Sequence, residues 1–214
     1  MLASQVLGCG APPRATGVGA IASHAARPGS REAAPTAQWI ARARSGDRDA
    51  FGQLVGHYAP DVQRLCRRLL GAVAEAEDAS QESFARAHAA LASYDPARSF
   101  RRWLLAIAAH CAIDALRRRR RDARLFEDEA LDADTWTDPE PSPLQHGLSS
   151  QLRRELLTAI EAQPDHYRAP LVLRYFADLD YPEIAELLGV SRNQVATLLF
   201  RARRRLREAL EAQR

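Results

Sequence analysis

From Thr36 onward, apolar residues recur every three to four positions in discrete runs, the spacing of one buried helical face. Trp39, Ile40 and Ala43 open the first run. Asp47 can cap a second helix carrying Ala50, Phe51, Leu54, Val55 and Tyr58; Val62, Leu65, Cys66, Leu69 and Leu70 continue the spacing beyond Pro60, and Gly71 stops it. A third helix is predicted over about 74–91, broken by Tyr94-Asp95-Pro96-Ala97-Arg98-Ser99. A fourth starts near Phe100 and ends in the run Arg117 to Arg121. Beyond residue 150, helices over about 151–163, 165–177 and 181–188 precede a long one over about 192–211. No stretch alternates in the strand fashion and no fixed-period repeat is present. The expected fold is all-α: two small helical domains, 36–121 and 150–214.

Between them, residues 122–149 hold Pro139, Pro141 and Pro143 among many acids and read as a flexible linker. Residues 1–35, rich in Ala, Gly, Pro and Ser, are expected to be a disordered leader without the apolar core of a secretory signal. No apolar run is long enough to predict a spanning helix, so no membrane insertion is expected.

Charge sharpens this division. The net charge of +3 conceals blocks of opposite sign. Residues 36–121 carry 15 Arg and 9 acids, 122–150 carry 1 Arg and 8 acids, and 151–214 carry 11 Arg and 9 acids. Two basic blocks around an acidic strap suit a polyanionic partner; two solvated helical surfaces on a soluble linker would look the same. All 30 basic residues are Arg, which suits bidentate contacts with phosphate, guanine or carboxylate, although genome base composition would give the same bias.

The C-terminal block carries the most specific local pattern. Asp180-Tyr181-Pro182-Glu183 has the form of a capping box, Gly189 can end the helix in a left-handed turn, and Val190 can plug the corner. Ser191-Arg192-Asn193-Gln194 is a second capping box. Two short-linked, doubly capped helices are the grammar of a helix-turn-helix. At 100° per residue, Val195, Leu199, Ala202 and Leu206 share an inward face with Leu198 at its edge. Asn193, Thr197, Phe200, Arg201 and Arg204 share the outward one, which suits base edges and phosphates in a major groove. A plain amphipathic helix with an Arg-rich solvent side fits the same angles.

In the N-terminal block, Asp78, Gln81 and Glu82 share one face of the third helix; Ser80, Phe84, Ala87 and Leu91 line the other. That acidic face suits a basic protein surface or simple solvation. In the fourth helix Phe100, Trp103, Leu104, Ile107, Ala108 and Cys111 form the expected buried stripe, with His110, Asp114, Arg117 and Arg121 along one flank. The five consecutive Arg can meet a DNA backbone or complement the helix dipole. Tyr94, Phe100 and Trp103 could stack unpaired bases, with core packing expected for Trp103. The scattered His and Cys form no metal-ligand spacing, and neither GxSxG nor a phosphate-binding loop occurs. No cofactor, no metal site and no catalytic residue are expected.

At this point the motifs themselves become recognisable. Asp47-Arg-Asp-Ala-Phe-Gly-Gln-Leu-Val, Ala76-Glu-Asp-Ala-Ser-Gln-Glu-Ser-Phe, Phe100-Arg-Arg-Trp-Leu-Leu-Ala-Ile-Ala and Ala112-Ile-Asp-Ala-Leu-Arg-Arg resemble region 2 of bacterial sigma factors of the extracytoplasmic-function (ECF) group. Asp180-Tyr-Pro-Glu-Ile-Ala-Glu-Leu-Leu-Gly-Val-Ser and Arg201-Ala-Arg-Arg-Arg-Leu resemble region 4. The resemblance implies a cytoplasmic, non-catalytic subunit that binds core RNA polymerase and directs promoter recognition, −10 melting and transcription initiation of a stress- or envelope-responsive regulon. It implies that Asp78, Gln81 and Glu82 meet the polymerase β′ clamp helices and that the C-terminal domain meets the β flap. Arg98, Arg101, His110, Arg117, Arg118 and Arg121 would serve the −10 element; Ser191, Arg192, Asn193, Thr197, Phe200, Arg201 and Arg204 would serve the −35 element. An anti-sigma factor is an expected partner. Ala109-His110 stand where the family often carries Arg-Asn, and Ala196 and Leu198 where it often carries basic residues.

Overall fold

A computed structural model describes residues 34–120 and 150–212. The leader up to residue 33, the linker and Arg121 lie outside the described residues. Eight helices, α1 (Ala34–Arg44), α2 (Arg48–Leu70), α3 (Val73–Ala90), α4 (Phe100–Arg120), α5 (Ser150–Glu161), α6 (Asp165–Tyr175), α7 (Tyr181–Leu188) and α8 (Arg192–Glu211), and a 3-10 turn at Leu91–Ser93 account for the described secondary structure. α1 begins two residues before the predicted start at Thr36.

Local chemistry sets most helix ends. The Asp47 carboxylate accepts from the Ala50 backbone N–H at 3.0 Å and opens α2. Gly71, at φ 75°, closes it, its N–H donating to the Arg67 carbonyl. α2 continues past Pro60, which lies inside the helix. An interior proline costs a helix roughly 3 kcal/mol, so the apolar stripe of Leu54, Tyr58, Val62, Leu65 and Leu69, all buried, must hold the helix together across it.

α2, α3 and α4 pack against one another, and α1 lies along α2. The buried side of α3 is built from small residues (Ala76, Ala79, Ser80, Ser83 and Ala87), which lets α4 approach closely. Ser83 stays satisfied in this core by donating to the Ala79 carbonyl at 2.5 Å.

α4 departs from the expected single stripe. Leu105, Ala106, Ala109, Ala112, Ile113 and Leu116 are buried along with Leu104, Ile107, Ala108 and Cys111. α4 is covered from more than one side: it packs on α2 and α3 and also touches α7. Trp103, expected in the core, is only partly buried, whereas Tyr94 and Phe100 are fully buried.

In the C-terminal half, α5, α6 and α7 surround α8. Leu171, Leu173, Ile184, Leu187, Val195, Leu199 and Ala202 form its core. Leu198, predicted at the rim, is fully buried. The two halves also meet where α2 packs on α6. No described helix is long and apolar enough to cross a membrane.

Candidate nucleic-acid interface

The corner between α7 and α8 is built by reciprocal hydrogen bonds. Asp180 accepts from the Glu183 N–H at 2.9 Å, and the Glu183 carboxylate accepts from the Asp180 N–H at 2.8 Å. α7 ends in a Schellman arrangement: the Val190 N–H donates to the Ala185 carbonyl at 3.0 Å and the Gly189 N–H to Glu186 at 3.3 Å. Gly189 sits at φ 71°, the left-handed region that glycine enters without strain. Ser191 then accepts from the Gln194 N–H at 3.2 Å, while the Gln194 side chain accepts from the Ser191 N–H at 2.7 Å. Both predicted capping boxes are therefore present, and the turn between α7 and α8 is three residues long.

α8 consequently has a fixed orientation and two distinct sides. Val195, Leu198, Leu199, Ala202 and Leu206 face inward. Ser191, Arg192, Asn193, Phe200 and Arg204 are exposed, and Thr197 and Arg201 are half-buried beside them. Thr197 donates its hydroxyl to the Asn193 carbonyl at 3.0 Å, and Arg204 reaches Glu208 at 3.1 Å. The outward side offers an amide, a hydroxyl, an aromatic ring and guanidinium groups over several turns, a set able to contact both base edges and phosphates.

The second cationic surface surrounds α4, and here most of the guanidinium groups have protein partners. In the preceding turn Asp95 accepts from the Ala97 N–H at 3.0 Å and lies 3.6 Å from Arg98. Tyr94 donates to the Arg98 carbonyl at 2.5 Å. The Tyr94 ring stands 5.2 Å from Phe100 and 5.1 Å from Trp103, so Tyr94 and Phe100 brace the turn from inside rather than offering faces to bases. Arg101 pairs with Asp61 at 2.6 Å, Arg117 donates to the Leu187 carbonyl at 3.0 Å, and Arg118 is exposed. His110 is half-buried, and burial pulls its pKa below the usual histidine value against the opposing pull of Asp114 and Glu186.

Two arginines that the sequence did not single out prove central to this surface. Arg102 bonds Glu183 at 2.7 Å, and Arg119 bonds the Leu70 carbonyl at 2.9 Å and Asp165 at 3.3 Å. Their position in a basic helix was visible; partners 46 to 81 residues away were not.

On α3, Asp78, Gln81 and Glu82 are all exposed on one side, as their spacing predicts. Glu82 pairs with Arg86 at 2.7 Å, and Arg86 also approaches Asp114 on α4 at 3.5 Å, which ties this acidic side to the cationic helix.

Neither buried thiol is set up for chemistry. Cys66 and Cys111 are free and buried, and burial, with Cys111 nearby, pushes the Cys66 thiol up to about 12. Among the described residues no cluster of His, Cys, Asp or Glu could hold a metal ion.

Known proteins share this organisation. Residues 54–122 match the family Sigma-70 region 2, and residues 153–206 match Sigma-70, region 4. The ECF RNA polymerase sigma factor SigW of Bacillus subtilis is 35% identical over 181 residues, covering 80% of this chain and 94% of the relative. The ECF RNA polymerase sigma factor SigE of Mycolicibacterium smegmatis is 33% identical over 181 residues, covering 85% of this chain and 69% of the relative. Among solved structures, CnrH in complex with the cytosolic domain of CnrY superposes with a TM-score of 0.51 at 24% identity, covering 84% of this chain and 99% of that one, a likeness of fold. RpoE bound to the anti-sigma factor NepR from Bartonella quintana gives 0.50 at 21% identity, covering 77% of this chain and 98% of that one. With both regions matched in order and relatives above 30% identity covered over more than two thirds of their length, the chain belongs to the extracytoplasmic-function group of the sigma-70 family of RNA polymerase sigma factors.

Proposed function

We propose that this chain acts in the cytoplasm as a promoter-specificity subunit, without catalytic chemistry of its own, for a stress- or envelope-responsive regulon. The observation that supports the promoter reading is the doubly capped α7–α8 corner, which holds one side of α8 in the core and leaves Ser191, Arg192, Asn193, Phe200 and Arg204 on the other exposed. In this reading the domain at 150–214 reads the −35 element through Ser191, Arg192, Asn193, Thr197, Phe200, Arg201 and Arg204. The domain at 36–121 docks through Asp78, Gln81 and Glu82 onto the β′ clamp helices and melts the −10 element with Arg98, Arg101, His110, Arg117, Arg118 and Arg121. The acidic strap 122–149 tethers the two, and simultaneous engagement raises the effective concentration of each domain at its element. The β flap holds the C-terminal domain. The solved RpoE structure of similar fold contains an anti-sigma factor, which supports a protein inhibitor of this type for the present chain.

Run-off transcription with core RNA polymerase over a promoter library tests the proposal. Transcripts starting a fixed distance downstream of a shared two-element motif are the expected result. An added chain that leaves the start-site pattern of core polymerase unchanged would overturn it.

A further inference from the structure

Residues 95–99 lead from Tyr94 into α4 and carry Arg98, assigned above to promoter opening. Much of their shape is written in their own sequence. The Arg98 N–H donates to the Asp95 carbonyl at 3.0 Å, which closes a four-residue turn. Pro96 stands at its second position, where a ring-fixed φ fits, and the Asp95 carboxylate accepts from the Ala97 N–H at 3.0 Å. Ser99 then opens α4: its hydroxyl accepts from the Arg102 N–H at 3.4 Å and its carbonyl from the Trp103 N–H at 3.1 Å. Asp95, Pro96 and Ala97, at the tip, are exposed.

These bonds shape the turn, and Tyr94 seats it on the core. Tyr94 is 2% exposed, directly beneath an exposed tip. Its N–H donates to the Leu91 carbonyl at 3.2 Å, and its ring packs edge-on against Phe100 and at a tilt against Trp103, both on α4. Phe100 in turn stands 5.4 Å from Tyr58 of α2. A ring wedged among these neighbours holds its hydroxyl in one place. That hydroxyl crosses the base of the turn and donates to the Arg98 carbonyl at 2.5 Å. The backbone of Arg98 is thus tied to the three-helix core by a single phenol oxygen, at the residue whose guanidinium faces Asp95.

We propose that Tyr94 is a positioning residue for promoter opening: its hydroxyl holds the 95–99 turn, before any DNA arrives, in the shape in which the turn meets unpaired −10 bases. Tyr94 touches no base itself and acts through the backbone of Arg98. A segment already held in its bound shape loses less conformational entropy on binding, so more of the contact energy remains to offset the unstacking of the duplex. The inference rests on the promoter role given to Arg98, whereas the brace itself does not, and the experiment separates the two. Tyr94→Phe removes one O–H and keeps the ring, so the packing against Phe100 and Trp103 survives while the Arg98 carbonyl loses this donor. Pro96→Gly loosens the same turn from its exposed side without touching the core.

The test uses the full chain, free and assembled with core polymerase. Hydrogen exchange of the free chain reads the brace: in Tyr94→Phe the amides of 95–99 should exchange faster, while those of α2, α3 and the middle of α4 keep their native rates. Fluorescence anisotropy of the assembled complex reads its consequence, on two probes cut from a promoter that the native chain transcribes. One is a fork whose non-template strand carries an unpaired −10 element; the other is the upstream duplex alone. Tyr94→Phe and Pro96→Gly should each bind the fork severalfold more weakly than the native chain and the duplex equally well, with core assembly unchanged. A hydroxyl that served only general stability would instead weaken assembly and both probes together, and that result overturns the positioning role. Unchanged exchange at 95–99 in Tyr94→Phe overturns the brace. Faster exchange with native fork binding in both variants overturns the positioning role and leaves the promoter reading standing. A native complex that binds the fork no better than the duplex overturns the promoter role of this turn, and the positioning role with it.

Discussion

Arg101, at the start of α4, stands 2.6 Å from Asp61 in the middle of α2, a pairing across forty residues of chain. Burial disfavours the charged Asp61 carboxyl, but Arg101, joined by Arg64, more than offsets this and holds its pKa below the ordinary value of 3.8. A carboxyl whose pKa falls on folding stabilises the fold above its unfolded pKa, and that stability is lost as the pH drops through the folded value. The native chain should therefore lose stability below about pH 4 in part through Asp61. Asp61→Asn should lower the melting temperature at neutral pH and flatten this acid limb. Equal acid limbs in thermal scans of the two proteins would refute the assignment.

Glu82 lies on the exposed acidic side of α3 and makes one surface pair, with Arg86. Pairs of this kind contribute little to stability, at most about 1 kcal/mol. Glu82→Ala should leave the melting temperature nearly unchanged and weaken assembly with core polymerase, measured by native-gel titration. Undiminished assembly would reduce that side of α3 to a solvated surface.

Arg201 lies half-buried beside the exposed residues of the outward side of α8. If it contacts a base, Arg201→Ala should weaken −35-dependent transcription by about 1–3 kcal/mol and relax preference at one position of the element. Loss spread evenly over all sequences, with a shallower salt dependence, would instead mark a phosphate contact.

Gly189 holds a left-handed conformation at the α7–α8 turn. Gly189→Ala should cost about 1–2 kcal/mol in urea unfolding, the usual cost of that conformation for a residue with a Cβ. Space is not the obstacle, since the nearest atom would be the Arg117 guanidinium at 3.5 Å. Gly189→Asn should be milder, because asparagine tolerates this region better. Equal stability of all three proteins would contradict the turn geometry.

The thiols give a probe of the N-terminal core. Cys66, buried and pushed up to about 12, should resist alkylation at neutral pH until denaturant opens the helices, and Cys111 should follow it. Mass-spectrometric mapping checks this residue by residue. Alkylation of Cys66 in native buffer at the rate of a free thiol would show that α2, α3 and α4 open without unfolding.

The helices were legible in the sequence where their ends carry their own chemistry. Asp47, Gly71, Asp180, Gly189 and Ser191 act on neighbours within a few residues, and each does what its type suggests. The two sides of α8 were legible for the same reason, since one angular period describes them. α4 was harder. Half of its additional buried positions are alanines, Ala106, Ala109 and Ala112, which carry little apolar signal, and its neighbours α2, α3 and α7 are set only by the tertiary fold. Ion pairs hid in the same way: a run of arginines shows its charge, but Arg102 finds Glu183 and Arg119 finds Asp165 only after folding. The Tyr94, Phe100 and Trp103 rings were visible as a cluster, yet only packing decides that two of them turn inward.

The division of α8 into a packed flank and a displayed flank has an evolutionary consequence. Substitutions among Asn193, Thr197, Phe200 and Arg204 leave the inward row of Val195, Leu199, Ala202 and Leu206 untouched. If those outward side chains read DNA as proposed, preference can drift one side chain at a time without eroding the scaffold, which suits duplicated genes that diverge toward separate sets of targets.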